Sequence, residues 1–164
     1  MLSEPKIEAR KEIHYVAIHT NVSMKEIPVV APPLIPEVYE WLSANHFDPA
    51  GPPLFRYLTM NSAGRLDMHV GVPVSERVIT SGRVLNGKFP AGKYASAIYT
   101  GDYANLNKAH MALDEWMKKS GLKSKHEVNE NGEEWDFRTE SYITDPEKIK
   151  DPKDWKTEIW LLTE

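Results

Sequence analysis

The chain contains no cysteine, which excludes disulfides, a thiol nucleophile and any thiolate metal site. It also lacks an apolar run near the ~18 residues that a membrane-spanning helix requires, so no membrane partner is expected. The six histidines include no pair at the i, i+3 or i+4 spacing by which a helix presents two ligands to zinc. No metal is therefore expected, nor any other cofactor. There is no Gly-x-Ser-x-Gly elbow to expose a nucleophilic serine. Basic charge is in deficit as well, at a formal net −4, which argues against direct nucleic-acid binding, where a basic face must displace counterions. The opening six residues are charged and lead into no apolar segment, so a secretory signal is not expected. With no cysteine to oxidise, a cytoplasmic location fits.

What is present suits one α+β domain spanning residues 1–164. At 41% hydrophobic, a chain of this length buries a sizeable core. Residues 12–20 are rich in β-branched and aromatic types and predict a strand. A proline-rich passage, 27–36, leads into a helix over about 33–45, where Leu34, Val38, Trp41 and Leu42 form one apolar stripe. Proline is tolerated in a first helical turn. Residues 54–60 and 65–72 predict an antiparallel hairpin through Asn61-Ser62-Ala63-Gly64. Residues 78–89 and 93–100 predict two further strands around Pro90-Ala91-Gly92. A second helix fits about 104–120, with Asp102 or Asn105 as N-cap and Gly121 placed for a left-handed C-terminal position. Its stripe is Leu106, Ala109, Leu113, Trp116 and Met117. Strands at 135–144 and 155–162 flank a polar connector. The charges at 8–12 and the lysines between 118 and 125 suit solvated faces.

The two halves, about 7–73 and 78–164, resemble each other in order and residue. Tyr15-Val16-Ala17-Ile18-His19-Thr20 parallels Ala95-Ser96-Ala97-Ile98-Tyr99-Thr100, and Glu40-Trp41-Leu42 parallels Glu115-Trp116-Met117. Arg56-Tyr57-Leu58-Thr59 parallels Ser141-Tyr142-Ile143-Thr144, and Leu66-Asp67-Met68-His69 parallels Thr157-Glu158-Ile159-Trp160. Two pseudo-twofold strand-helix-strand-strand repeats are expected; if they meet edge to edge and curve, they share one antiparallel sheet. In this pairing Leu58 with Met68, and Ile143 with Ile159, take the core face under the two helices. The other face then carries Tyr57, Asp67 and His69 from one half, and Tyr142, Glu158 and Trp160 from the other. A carboxylate set among aromatic groups needs a partner. For Glu158 that partner is either internal, with Lys156, Arg138 or a tyrosine hydroxyl available, or a bound cation. Asp67 and His69 also read simply as a surface pair.

The segments Phe47-Asp48-Pro49-Ala50-Gly51-Pro52-Pro53, Phe89-Pro90-Ala91-Gly92-Lys93-Tyr94, Tyr99-Thr100-Gly101-Asp102-Tyr103 and Glu140-Ser141-Tyr142-Ile143-Thr144-Asp145-Pro146, followed by Thr157-Glu158-Ile159-Trp160, resemble the GyrI-like small-molecule-binding domain, also called the bacterial transcription-activator effector-binding domain. The resemblance runs over nearly the whole chain. It implies a ligand cleft between two repeats, a buried glutamate on the last strand that meets cationic aromatic ligands, and an aromatic wall. Glu158 matches that glutamate, with Tyr142, Trp160 and Tyr57 as the wall and Asp67 and His69 beside them. The chain departs from the family's Glu-x-x-x-Pro ending, having Glu158-Ile159-Trp160-Leu161-Leu162. With no DNA-binding unit in the sequence, a stand-alone sensor or sequestering protein is implied, taking an aromatic, cationic small molecule. Cation–π attraction would add ~0.5–2 kcal/mol per ring. Two alternatives share the resemblance. One is a small-molecule hydrolase, in which Glu158 directs water and Tyr142 donates a proton; the other is a gyrase-type protein inhibitor.

Overall fold

Side-chain alternation at period two builds nine strands into one antiparallel sheet. The structure is a computed structural model; it describes the backbone of residues 1–164 and the side chains of all but Glu127 and residues 134–137. In chain order the elements are β1 (Lys6–Arg10), β2 (Ile13–Ser23), α1 (Ile27–Val30), α2 (Leu34–Ala44), β3 (Leu54–Asn61), β4 (Arg65–Val74), β5 (Val84–Phe89), β6 (Gly92–Thr100), α3 (Leu106–Lys119), β7 (His126–Asn129), β8 (Gly132–Tyr142) and β9 (Lys156–Leu162). The sheet order is β1-β6-β9-β8-β3-β4-β2-β5, with β7 added on β8. β3 and β8 form the middle pair, and each is flanked by the strands of its own half.

The prolines before α2 start the helix rather than prevent it. Pro33 is its N-cap, and Pro36 falls in the first turn, where backbone N–H groups have no intrahelical acceptor. Val38 and Leu42 are buried against Val16, Ile18, Val72 and Val84. On the other side, Asp102 Oδ1 accepts from the Ala104 amide at 2.9 Å and opens a short 3-10 turn that runs into α3. Leu106, Ala109, Leu113 and Met117 pack on Ala95, Ala97, Ile159 and Leu161. Gly121, at φ 72°, ends this helix by taking a conformation that only glycine adopts freely.

Two short joints determine the sheet's curvature. Phe89 ends β5 at one edge of the sheet, and Gly92 begins β6 near the opposite edge. Three residue steps span at most about 11 Å, so the two ends of the sheet must meet. The joint from Arg10 to Ile13, between β1 and β2, imposes the same closure. The inner face is consequently filled. Tyr15, Phe89, Tyr94, Trp160, Leu54 and Leu162 form one cluster there, with ring centroids 5.0 Å apart for Tyr15–Phe89 and 4.5 Å for Phe89–Trp160.

Several sequence expectations are corrected. β1 lies where solvated charges were expected, and β7 was not foreseen. The strand expected from residue 78 begins at Val84, after a turn in which Gly82 takes φ 62°. Trp135, the expected start of β8, lies outside the residues whose side chains are described. The main correction concerns register. Tyr57, not Leu58, pairs with Met68, and a bulge follows before Thr59 pairs with Asp67. Tyr142 pairs with Thr157 and Ser141 with Glu158, while Ile143 lies beyond the strand and is exposed. A one-residue slip exchanges the faces of a strand. Tyr57 and Tyr142 therefore point to the helix side of the sheet, away from Asp67, His69, Glu158 and Trp160.

Candidate functional site

α2 and α3 each cover the strands of their own half and leave the central β3–β8 pair open between them. The result is a groove of ≈ 2060 Å³ on the helix side of the sheet, with Phe55, Tyr57, Glu140 and Tyr142 on its floor and Tyr39 and His110 on its walls. A cleft was expected on the face away from the helices, but the aromatic cluster fills most of that face. The groove exceeds the ~300–1,000 Å³ of most small-molecule pockets. Among the described residues, seven acidic side chains line it against three lysines and arginines, so their field favours cations.

Glu140 lies at the centre. It pairs across the sheet with Phe55 on one side and Ile159 on the other, and only 4% of its surface is exposed. Three groups donate to its carboxylate: Tyr142 Oη at 2.5 Å, Tyr57 Oη at 3.1 Å and His110 Nε2 at 2.8 Å. Burial alone would raise this carboxyl, but the hydrogen-bonding and electrostatic interaction with His110, then the bonds from Tyr142 and Tyr57, outweigh it and hold Glu140 below its ordinary value. The same burial, then the charge of Glu140, pushes both tyrosine hydroxyls well above theirs. Glu140 is thus an anion and both tyrosines are neutral donors. Aromatic faces surround the group, with Phe55–Tyr142 at 4.8 Å and Tyr103–Tyr142 at 5.4 Å between ring centroids.

Of the residues chosen from sequence, the structure brings Tyr57 and Tyr142 into this groove. Glu158 and Trp160 lie on the inner face with a partner the sequence did not suggest. Arg10 donates to Glu158 Oε1 and Oε2 at 3.2 and 3.0 Å and to Glu8 at 2.6 Å. Its guanidinium sits 4.9 Å from the Trp160 ring centroid. Trp160 Nε1 donates to Ser141 at 2.8 Å. Asp67 accepts from Asn21 and Thr59 and contacts His19. Glu140, His110 and Arg138 were not selected. The signal for Glu140 and Arg138 was the alternation Arg138, Glu140, Tyr142, which places three side chains on one face of β8; His110, on α3, had none.

His69 lies on the inner face, where Arg56 Nη1 donates to Tyr15 Oη at 2.8 Å. The Tyr15 proton is then directed to His69 Nδ1, 2.7 Å away, which holds the imidazole neutral. Burial first, and then the Arg56 charge, lower its pKa to about 4. Unfolded, it would titrate near 6.5. The unfolded state therefore binds the proton more strongly. This contribution to stability is complete above about pH 6.5 and is lost as the pH falls towards 4. Urea midpoints measured across that window should fall for the native chain and fall less steeply for His69→Gln. Parallel profiles would remove His69 as the cause.

Among the described residues no cluster of His, Asp and Glu could hold a metal ion, and no helix is long and apolar enough to cross a membrane. The pattern of the GyrI-like small molecule binding domain matches residues 3–163. No curated protein matches the sequence. Among solved structures, the EcmrR C-terminal domain superposes with a TM-score of 0.68 at 18% identity, covering 98% of this chain and 97% of that one. The chain spans 57% of EcmrR in its DNA complex, at a TM-score of 0.76 and 19% identity, with 98% of this chain covered. SAV2435 bound to tetraphenylphosphonium superposes at 0.62 and 10% identity, covering 99% and 94% of the two chains. A hydrolase from Listeria innocua does so at 0.60 and 13%, covering 98% and 92%.

Proposed function

Because the chain belongs to the GyrI-like small molecule binding domain family, whose members take up small molecules, we propose that its ligand is an aromatic cation held in the groove between α2 and α3. Glu140 supplies the counter-charge, and Tyr57, Tyr103 and Tyr142 supply stacking area. One observation carries the reading: Glu140 is a buried anion whose side-chain contacts among the described residues are two tyrosine hydroxyls and His110, with no lysine or arginine touching it. A desolvated charge with no lysine or arginine beside it gains from an entering cation. Tetraphenylphosphonium, bound by a protein of the same fold, has this chemistry: a positive centre inside aryl rings. Such a domain would serve as a sensor or as a sequestering protein.

The test compares binding of tetraphenylphosphonium with that of neutral triphenylphosphine oxide, by titration calorimetry. Glu140→Gln is expected to weaken the cation at least tenfold, about 1.4 kcal/mol, and to change the neutral compound little. Glu158→Gln should leave both unchanged. Equal losses for both compounds in the Glu140 variant, or a cation-selective loss in the Glu158 variant, would move the counter-charge elsewhere. A hydrolytic reading shares the site, since a tyrosine hydroxyl stands 2.5 Å from the carboxylate. Product analysis separates it, because a hydrolase consumes the ligand.

A further inference from the structure

Behind Glu140 runs a chain of polar contacts that the ligand reading does not use. His110 Nε2 meets Glu140 Oε1 at 2.8 Å, and its other ring nitrogen, Nδ1, lies 3.0 Å from Arg138 Nη1. The Nη2 of Arg138 donates to Asp114 Oδ1 at 2.5 Å. A guanidinium has N–H groups and no acceptor. Nδ1 must therefore offer its lone pair to Arg138, and the ring's single proton sits on Nε2, directed at Glu140. A second proton on Nδ1 would set two donors, and two positive charges, against each other. Asp114, on α3 one turn beyond His110, holds the guanidinium in place. Among the described residues, the other groups recorded against His110 are Glu140 on β8 and Tyr57 on β3, whose ring centroid is 6.3 Å from that of the imidazole. Glu140, the acceptor among them, meets the ring at Nε2, not at Nδ1.

Resting on the ligand reading above, we propose that Arg138 is a positioning residue that sets the charge specificity of the groove by locking His110 in its neutral Nε2–H form. An imidazolium at 2.8 Å would form an ion pair with Glu140 and cancel the charge that selects cations. The guanidinium prevents this by occupying the nitrogen that would take the second proton. Glu140 thus keeps its negative charge for the ligand at pH values where histidines commonly become charged. The positive charge of Arg138 is itself spent on Asp114, on the far side of the imidazole from Glu140.

The experiment uses the full chain as native protein, Arg138→Met and Arg138→Lys. Tetraphenylphosphonium and triphenylphosphine oxide are titrated between pH 5.5 and 8, and the ring-nitrogen shifts of His110 are followed by 15N NMR without ligand. Native protein should show one protonated and one bare ring nitrogen across the range. In Arg138→Met, Nδ1 should gain a proton as the pH falls, and the cation's affinity should drop at least tenfold more than in native protein. The neutral compound should show no such drop, and Arg138→Lys should restore the native profile. Matching NMR profiles in native protein and Arg138→Met, or an Nδ1-protonated ring in native protein, would overturn the lock. If native protein fails to bind the cation at any pH, the ligand reading falls, and the NMR result still decides for or against the lock.

Discussion

Gly87→Ala is expected to destabilise the fold by about 3 kcal/mol, at the upper end of what overpacking a core does. A Cβ at this position would stand 2.0 Å from Tyr15 Cζ and 2.4 Å from the hydroxyl oxygen. Gly87 pairs directly with Tyr15 across β5 and β2, and the ring lies flat over the bare backbone. Tyr15 cannot swing aside. It is fully buried, it packs on Phe89, and its hydroxyl is held between Arg56 and His69. Urea denaturation measures the loss directly. Introduced into a Tyr15→Leu background, the same substitution should be nearly silent, because the ring it strikes has gone. A Gly87→Ala protein as stable as the native one would mean that β5 and β2 can separate at this pair.

Arg10→Ala is expected to remove about 2–3 kcal/mol, somewhat less than the 3–5 that breaking a fully buried pair removes, because both partners keep some exposure (14% for Arg10, 22% for Glu158). Deleting Arg10 leaves Glu158 without its two guanidinium bonds and Trp160 without the cation over its ring. The variant should recover part of its stability in ethylguanidinium chloride beyond any effect on the native chain, as the free cation enters the vacated cage. A double-mutant cycle with Glu158→Gln should show strong coupling. Additive losses and no rescue would mean that Arg10 contributes through its methylene packing alone.

These two sites show how far the sequence could be read. The alternation through Leu66, Met68, Val70 and Val72 marked a core face correctly, and the stripes of Val38 and Leu42, and of Leu106, Leu113 and Met117, identified the helices that cover it. The chemistry around Glu158 was also legible: a carboxylate beside a tryptophan needs a cation. What the sequence could not disclose is that the cation belongs to the chain. Arg10 is 148 residues from Glu158 and reaches it only because β1 joins the sheet beside β6. The groove was mislocated for a related reason. No local pattern announces the bulge after Tyr57, and its register decides on which face two tyrosines emerge. Glu140 was passed over because on sequence it sits between Thr139 and Ser141 like an exposed strand residue. Tyr57, Tyr142 and the α3 residue His110 close round it, which is a property of the tertiary arrangement.

The closure imposed by the links at Pro90-Ala91 and Lys11-Glu12 bears on how the groove can adapt to ligands of different width. An open sheet can flatten or twist to change the separation of helices lying on it. Here most of the underside is packed with rings, and the sheet's ends are tied within three residue steps. The floor under a ligand is therefore an unyielding bed. Any widening falls to the walls, through sliding of α2 and α3 or turning of Tyr39 and Tyr103. On the proposed reading, any breadth of ligand choice would be a property of two helices and a few rotating rings, set on a foundation that keeps Glu140 in one place.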